Sequence, residues 1–185
     1  MPPFPEPSDR ALMHDVQRGD LAALDMLFAR HHRRLYSFLA RLTGDPDAAD
    51  DLVQDAFLRL LRFKASFRAD GEFIPWLFRI ARNLAVDRYH GAEPTSASAS
   101  DALVAESDGA LDVLLRDERQ HQLEQALATL PLAQREVLLL HGTEHLSHRD
   151  LGAVLGCTEG AARVRVHRAL AALRGAWHAT TGEPR

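Results

Sequence analysis

The chain has 185 residues, 46% hydrophobic and 26% charged, with a formal net charge of -4. That composition suits one ordinary globular domain or two small ones, and no stretch offers the roughly 18 apolar residues of a membrane span. One cysteine, Cys157, excludes an internal disulfide and argues for a reducing, cytoplasmic setting, and ten scattered histidines without HExxH spacing give no reason to expect a metal site.

Met1-Pro2-Pro3-Phe4-Pro5 has neither a basic flank nor an apolar run, so no secretory signal is expected and residues 1–7 read as a disordered N-terminus. From there to about residue 90 the pattern is helical. Asp20 can cap a long helix with apolar residues Leu24, Leu27, Phe28, Leu35, Phe38, Leu39 and Leu42, ended by Gly44. Asp45-Pro46-Asp47 opens the next, whose stripe is Leu52/Val53, Ala56/Phe57 and Leu60/Leu61. A polar turn at Arg68-Ala69-Asp70-Gly71 follows, then a third helix with Pro75 in its first turn and Ile74, Leu77, Ile80, Ala81 and Leu84 inward.

Residues 91–118 hold seven acids against one base, so this segment carries -6 and the remainder of the chain sums to +2. With its Ser/Ala-rich run, 91–116 is expected to be a flexible acidic linker between units 8–90 and 117–176. The second unit reads as four shorter helices. One ends at Leu130-Pro131, one covers about 132–141, one is opened by Ser147 with Asp150, and the last, about 159–174, is capped by Thr158. Residues 177–185 read as a tail. The expected fold is all-α, two small helical domains joined by that linker.

Three surfaces carry chemistry. On the last helix Ala162, Val166, Ala169 and Leu173 face inward, leaving Arg163, Val164, Arg165, His167 and Arg168 on the outside. This helix carries +3 and follows a short helix and a Gly-containing turn, the pattern of a helix-turn-helix whose second helix enters the DNA major groove. A solvated basic face is the plain alternative. Residues 59–90 carry seven bases and three acids, interleaved with Phe67, Phe73, Trp76, Phe78 and Tyr89. Arg68, Arg79 and Arg82 with these rings and the Asn83 amide suit single-stranded nucleic acid, although Phe73 and Trp76 suit a core equally well. Asp51 and Asp55, one turn apart with no base between them and Gln54 beside them, make a like-charge face that a basic protein partner would neutralise.

These segments together resemble a known family. Asp51-Leu52-Val53-Gln54-Asp55-Ala56-Phe57-Leu58-Arg59 is similar to region 2.2 of sigma-70-type RNA polymerase sigma factors. Trp76-Leu77-Phe78-Arg79-Ile80-Ala81-Arg82-Asn83-Leu84-Ala85-Val86-Asp87-Arg88 resembles region 2.4 of their extracytoplasmic-function (ECF) group. Leu130-Pro131, Arg135 to Leu140, Leu146-Ser147, Leu155-Gly156-Cys157, Glu159-Gly160 and Val166-His167-Arg168-Ala169 are similar to region 4. The resemblance implies a sigma-2-like helical bundle and a sigma-4-like helix-turn-helix. It implies binding to core RNA polymerase, with Asp51, Gln54 and Asp55 on the β′ clamp helices and the second unit on the β flap. It places Phe67, Arg68, Ala69 and Asp70 in a loop that captures a flipped -10 base, and Asn83 on the melted strand. Arg163, Val164, His167 and Arg168 fall where the -35 duplex is read. It also implies an anti-sigma partner, often membrane-bound, that would hold the protein inactive.

The chain departs from the family pattern at Ala161-Ala162, at Val164, which offers only apolar contact, and at His145, where Gly is usual. A linker of about 27 residues has a root-mean-square span of about 26–31 Å and a maximum of about 90 Å, which bridges a separation on the order of one to two duplex turns of about 34 Å each. No nucleophile–base pair or Gly-rich phosphate loop is visible, so neither enzymatic activity, a cofactor nor a small-molecule substrate is expected. Two other readings fit the same residues: a stand-alone helix-turn-helix regulator of duplex DNA, and a sigma-like protein–protein switch.

Overall fold

Helix stop and start signals set the element order. In the computed structural model, which describes residues 6–91 and 110–181, eight α-helices follow one another with no strand among the described residues. They are α1 (Asp9–Arg18), α2 (Leu21–Thr43), α3 (Pro46–Phe63), α4 (Phe73–Gly91), α5 (Ala110–Ala128), α6 (Leu132–Leu138), α7 (His148–Leu155) and α8 (Glu159–Thr181). Asp20 caps α2 by accepting from the backbone N–H groups of Ala22 and Ala23, at 2.8 and 3.3 Å. Asp45 caps α3 through Ala48 N–H, with Pro46 in the first turn where its missing donor is harmless. Ser147 accepts from Asp150 N–H at α7, and Thr158 from Ala161 N–H at α8.

The first unit buries the apolar stripes of α1 to α4 around Leu27, Leu35, Phe38, Leu39, Leu60, Leu77 and Phe78. Phe38 meets Phe78 edge-on, with ring centroids 5.2 Å apart. The helix α1 fell outside the periodicity argument. It contributes Leu12, Met13 and Val16 to this core and is capped by Ser8. The second unit closes around Val137, Leu139, Leu140, Leu151, Ala162, Val166 and Ala169. Here α7 and α8 form the helix-turn-helix. A methyl group on Gly152 would stand 2.7 Å from the carbonyl oxygen of Cys157, so only glycine lets α7 approach the turn this closely.

Helical structure extends further than the pattern predicted at two points. The α5 helix opens at Ala110, inside the segment expected to be linker, and α8 continues to Thr181, beyond the expected end at about 174. Residues 92–109, most of the expected linker, lie outside the described residues, as do 1–5 and 182–185.

The two units, expected as bodies joined by a linker, also contact each other. The α4 helix lies against α7, and α2 meets α6 and the π-helical turn Leu139–Thr143. Arg34 on α2 donates to both the side chain and the backbone carbonyl (2.7 Å) of Glu144, and its guanidinium lies over the Phe78 ring at 5.4 Å. Arg82 on α4 grips Glu136 with two hydrogen bonds of 2.9 and 3.2 Å. Arg135 reaches back to the Leu42 carbonyl at 3.1 Å.

Candidate nucleic-acid and polymerase-binding surfaces

The α3 face is set by what its buried stripe leaves out. With Leu52, Val53, Ala56, Phe57 and Leu60 inside, Asp51, Gln54 and Asp55 are all exposed on one side. Arg88 of α4 lies 3.7 Å from Asp51, which relieves part of the like-charge repulsion from across the helix pair. One residue of this face escaped the sequence argument. Leu58 follows Asp51 and Asp55 at helical spacing and is 63% exposed. Its signal was present: it is an apolar side chain off the stripe. Carboxylates flanking an exposed leucine make a surface suited to a protein partner.

The segment 64–72 connects α3 to α4 and is braced from α1. Gln17 donates to the carbonyls of Lys64 and Phe67, at 2.8 and 2.9 Å, and Lys64 donates to the carbonyl of Val16 at 3.0 Å. Arg68, Ala69 and Asp70 stand exposed at the tip of this loop. Arg68 pairs with Asp70 at 3.1 Å, which holds the Asp70 carboxyl below its ordinary range. Phe67 is not at the surface as its place in a base-capturing loop implied. It is 4% exposed and sits between Trp76 (5.1 Å) and Phe73 (6.2 Å), because those rings offer it more apolar contact than water does.

An open cavity of about 190 Å³ lies beside this cluster, lined by Arg59, Phe63, Ser66, Trp76, Arg79, Ile80 and Asn83. The lining combines apolar and aromatic side chains with two arginines and the Asn83 amide. That combination can hold a flat heterocycle by stacking and hydrogen bonding. Trp76, Arg79 and Asn83 were expected in this region; Phe63, half exposed, was not. Like Leu58, it is an apolar residue outside the stripe. Arg82 does not line the cavity, since it is turned toward Glu136.

On α8 the burial of Ala162, Val166 and Ala169 leaves Arg163, Val164, Arg165, His167 and Arg168 exposed together. Arg163 leans on Glu159 one turn earlier, at 3.2 Å, a surface pair easily exchanged for a phosphate. Val164 is also exposed, an apolar side chain among bases. No groups of three or more His, Cys, Asp or Glu among the described residues could hold a metal ion. No helix there is long and apolar enough to cross a membrane.

Comparison with known proteins identifies the family. The family model for sigma-70 region 2 matches residues 27–93, and that for sigma-70 region 4 matches 120–173. The chain is 34% identical over 176 residues to the RNA polymerase sigma-H factor of Pseudomonas aeruginosa, covering 89% of this chain and 91% of that one. It is 37% identical to the sigma factor CarQ of Myxococcus xanthus, with coverage of 88% and 93%. It is 32% identical to the ECF sigma-E factor of Escherichia coli K12, with coverage of 90% and 92%. Among solved structures it is similar to CnrH in complex with the cytosolic domain of CnrY, with a TM-score of 0.71, 26% identity and coverage of 92% and 97%. Matching models for both regions in the expected order, and relatives this similar over nearly their whole length, show that the chain belongs to the ECF group of the sigma-70 family, the factors that direct transcription initiation by RNA polymerase.

Proposed function

We propose that the two surfaces of the first unit and the α8 face divide the work of a sigma factor among named residues. Asp51, Gln54, Asp55 and Leu58 dock the β′ clamp helices of core polymerase. The acids match a basic partner, and Leu58 supplies the apolar anchor around which rim charges set orientation. The second unit rests on the β flap and reads the -35 duplex through α8. Arg163 and Arg168 reach base edges or phosphates, Arg165 and His167 support them, and Val164 contacts a thymine methyl. The cavity at Phe63, Trp76 and Asn83 receives a base extruded from the -10 element. Arg79 and the exposed Arg68-Ala69-Asp70 loop follow its strand.

Extruding a base costs a few kcal/mol of unstacking, which stacking in the cavity and the phosphate contacts offset. Catalysis belongs to the polymerase core; this chain supplies position and promoter choice and works in the cytoplasm. Its regulator is an anti-sigma protein, the kind of partner with which the sigma factor RpoE of Bartonella quintana was solved.

The observation that carries this reading is the pair of outward faces, acidic on α3 and basic on α8, each backed by a largely buried apolar stripe. Substituting Asp51→Arg tests it. The variant should fold with unchanged helicity yet fail to co-elute with core polymerase. Co-elution equal to that of the parent protein would remove α3 from the polymerase interface.

A further inference from the structure

Glu136 and Glu144 are 3% and 4% exposed, the two buried carboxylates among the described residues. Both belong to the second unit, and the side chains they meet come from the first, Arg82 and Arg34. The Arg82 contact is a parallel two-bond fork, the geometry by which arginine also takes a phosphate. Arg82 in turn donates to the side-chain oxygen of Asn83 at 3.2 Å. Arg163, Val164, Arg165, His167 and Arg168 on α8 stay exposed.

We propose that Glu136 is a built-in competitor for the single strand. In the docked form it occupies the guanidinium of Arg82 in place of a strand phosphate, so the free protein has its duplex-reading helix available and its strand-reading surface partly withheld. This rests on the reading of α4 as the strand-binding helix.

The contact is suited to reversal. Glu136 is taken from water while the Arg82 side chain stays 24% exposed, so their pairing gains little net free energy; a lone buried carboxylate is costly, so such a contact holds firmly or opens as a unit. Burial pushes the Glu144 carboxyl above its ordinary range despite the Arg34 beside it, so desolvation outweighs pairing there. A strand phosphate offers Arg82 the same fork without requiring Glu136 to stay dry. Linkage then requires that strand binding and separation of the units favour each other.

The test uses the full-length protein and a fluorescein-labelled single-stranded DNA pool of randomised sequence. Phosphate contacts do not depend on sequence, so this probe reports them directly. Substituting Glu136→Gln should raise affinity about tenfold, the worth of one charge-assisted contact. It should also steepen the salt dependence by about 0.7 in log–log slope. With Arg82→Ala also present, Glu136→Gln should give no gain.

A Glu136→Gln protein no tighter than the parent, or a gain that persists without Arg82, overturns the proposal. If Arg82→Ala leaves strand affinity unchanged even beside Glu136→Gln, the reading of α4 itself fails. A second measurement uses the unaltered protein. Saturation with the same pool should speed amide hydrogen exchange across residues 136–146, and unchanged or slowed exchange there counts against the proposal.

Discussion

His31 is buried against Phe73, and its Nε2 lies 2.8 Å from a carboxylate oxygen of Asp9. Burial is the larger influence and lowers its pKa from 6.5, although Asp9 pulls the other way. The unfolded chain therefore binds a proton more readily than the folded one, so stability falls as pH drops below about 6.5 and levels off below the folded pKa. Thermal unfolding followed from about pH 7.5 to about pH 5.5 should show this decline, and His31→Asn should flatten it. Equal slopes for the two proteins would place the titrating group elsewhere. His145 carries a different strain. Its φ of 54° is left-handed, where a Cβ costs roughly 1–2 kcal/mol and glycine costs nothing sterically. After the extra chain entropy of glycine, His145→Gly should stabilise the protein by about 0.5–1 kcal/mol, a rise of about 1–4 °C in Tm. Individual side chains were legible in the sequence where a pattern isolated them. Asp51 and Arg168 stood off their stripes and are exposed. Phe67 lies in the expected loop, but its motif position says nothing of the Trp76 and Phe73 rings that bury it, and Phe63 stood off the stripe without anything local to show that it walls a cavity.

At the level of helices, hydrophobic periodicity and capping chemistry explain most of what forms. Asp20 with Gly44 bounds α2 as expected, and Ser147, Gly156 and Thr158 bound the helix-turn-helix. The α1 helix was not anticipated because its ten residues bury only Leu12, Met13 and Val16, and its stability comes from α2 and the turn it braces. The start of α5 at Ala110 was obscured by acidic composition, which reads as solvated chain whether or not it is helical. On α8, substitution separates the two kinds of DNA contact proposed for the exposed arginines. If Arg168 reads a base, Arg168→Ala should cost about 1–3 kcal/mol at one -35 position and leave the others unchanged. Binding to a panel of single-base -35 duplexes, with the chain mounted on polymerase, distinguishes this from a phosphate role, which would lower every affinity alike.

For the molecule as a whole, the division into two helical units was readable from charge, but their docking was not. Glu136 and Glu144 look like ordinary surface acids in a helical pattern, and only the fold brings Arg82 and Arg34 to them across more than fifty residues of chain. Interfaces between units in one chain are commonly polar and reversible, which suits a protein that must span two promoter elements when active. On the proposed reading, paired and unpaired promoter strands are read together only on the polymerase. The decisive measurement is run-off transcription on promoter fragments bound by the protein in cells. Core polymerase with this chain should yield discrete transcripts, lost when either the -35 or the -10 block is replaced, while neither component alone initiates. Tight, specific binding of a palindromic duplex by the chain alone, with no transcript from the reconstituted enzyme, would contradict it.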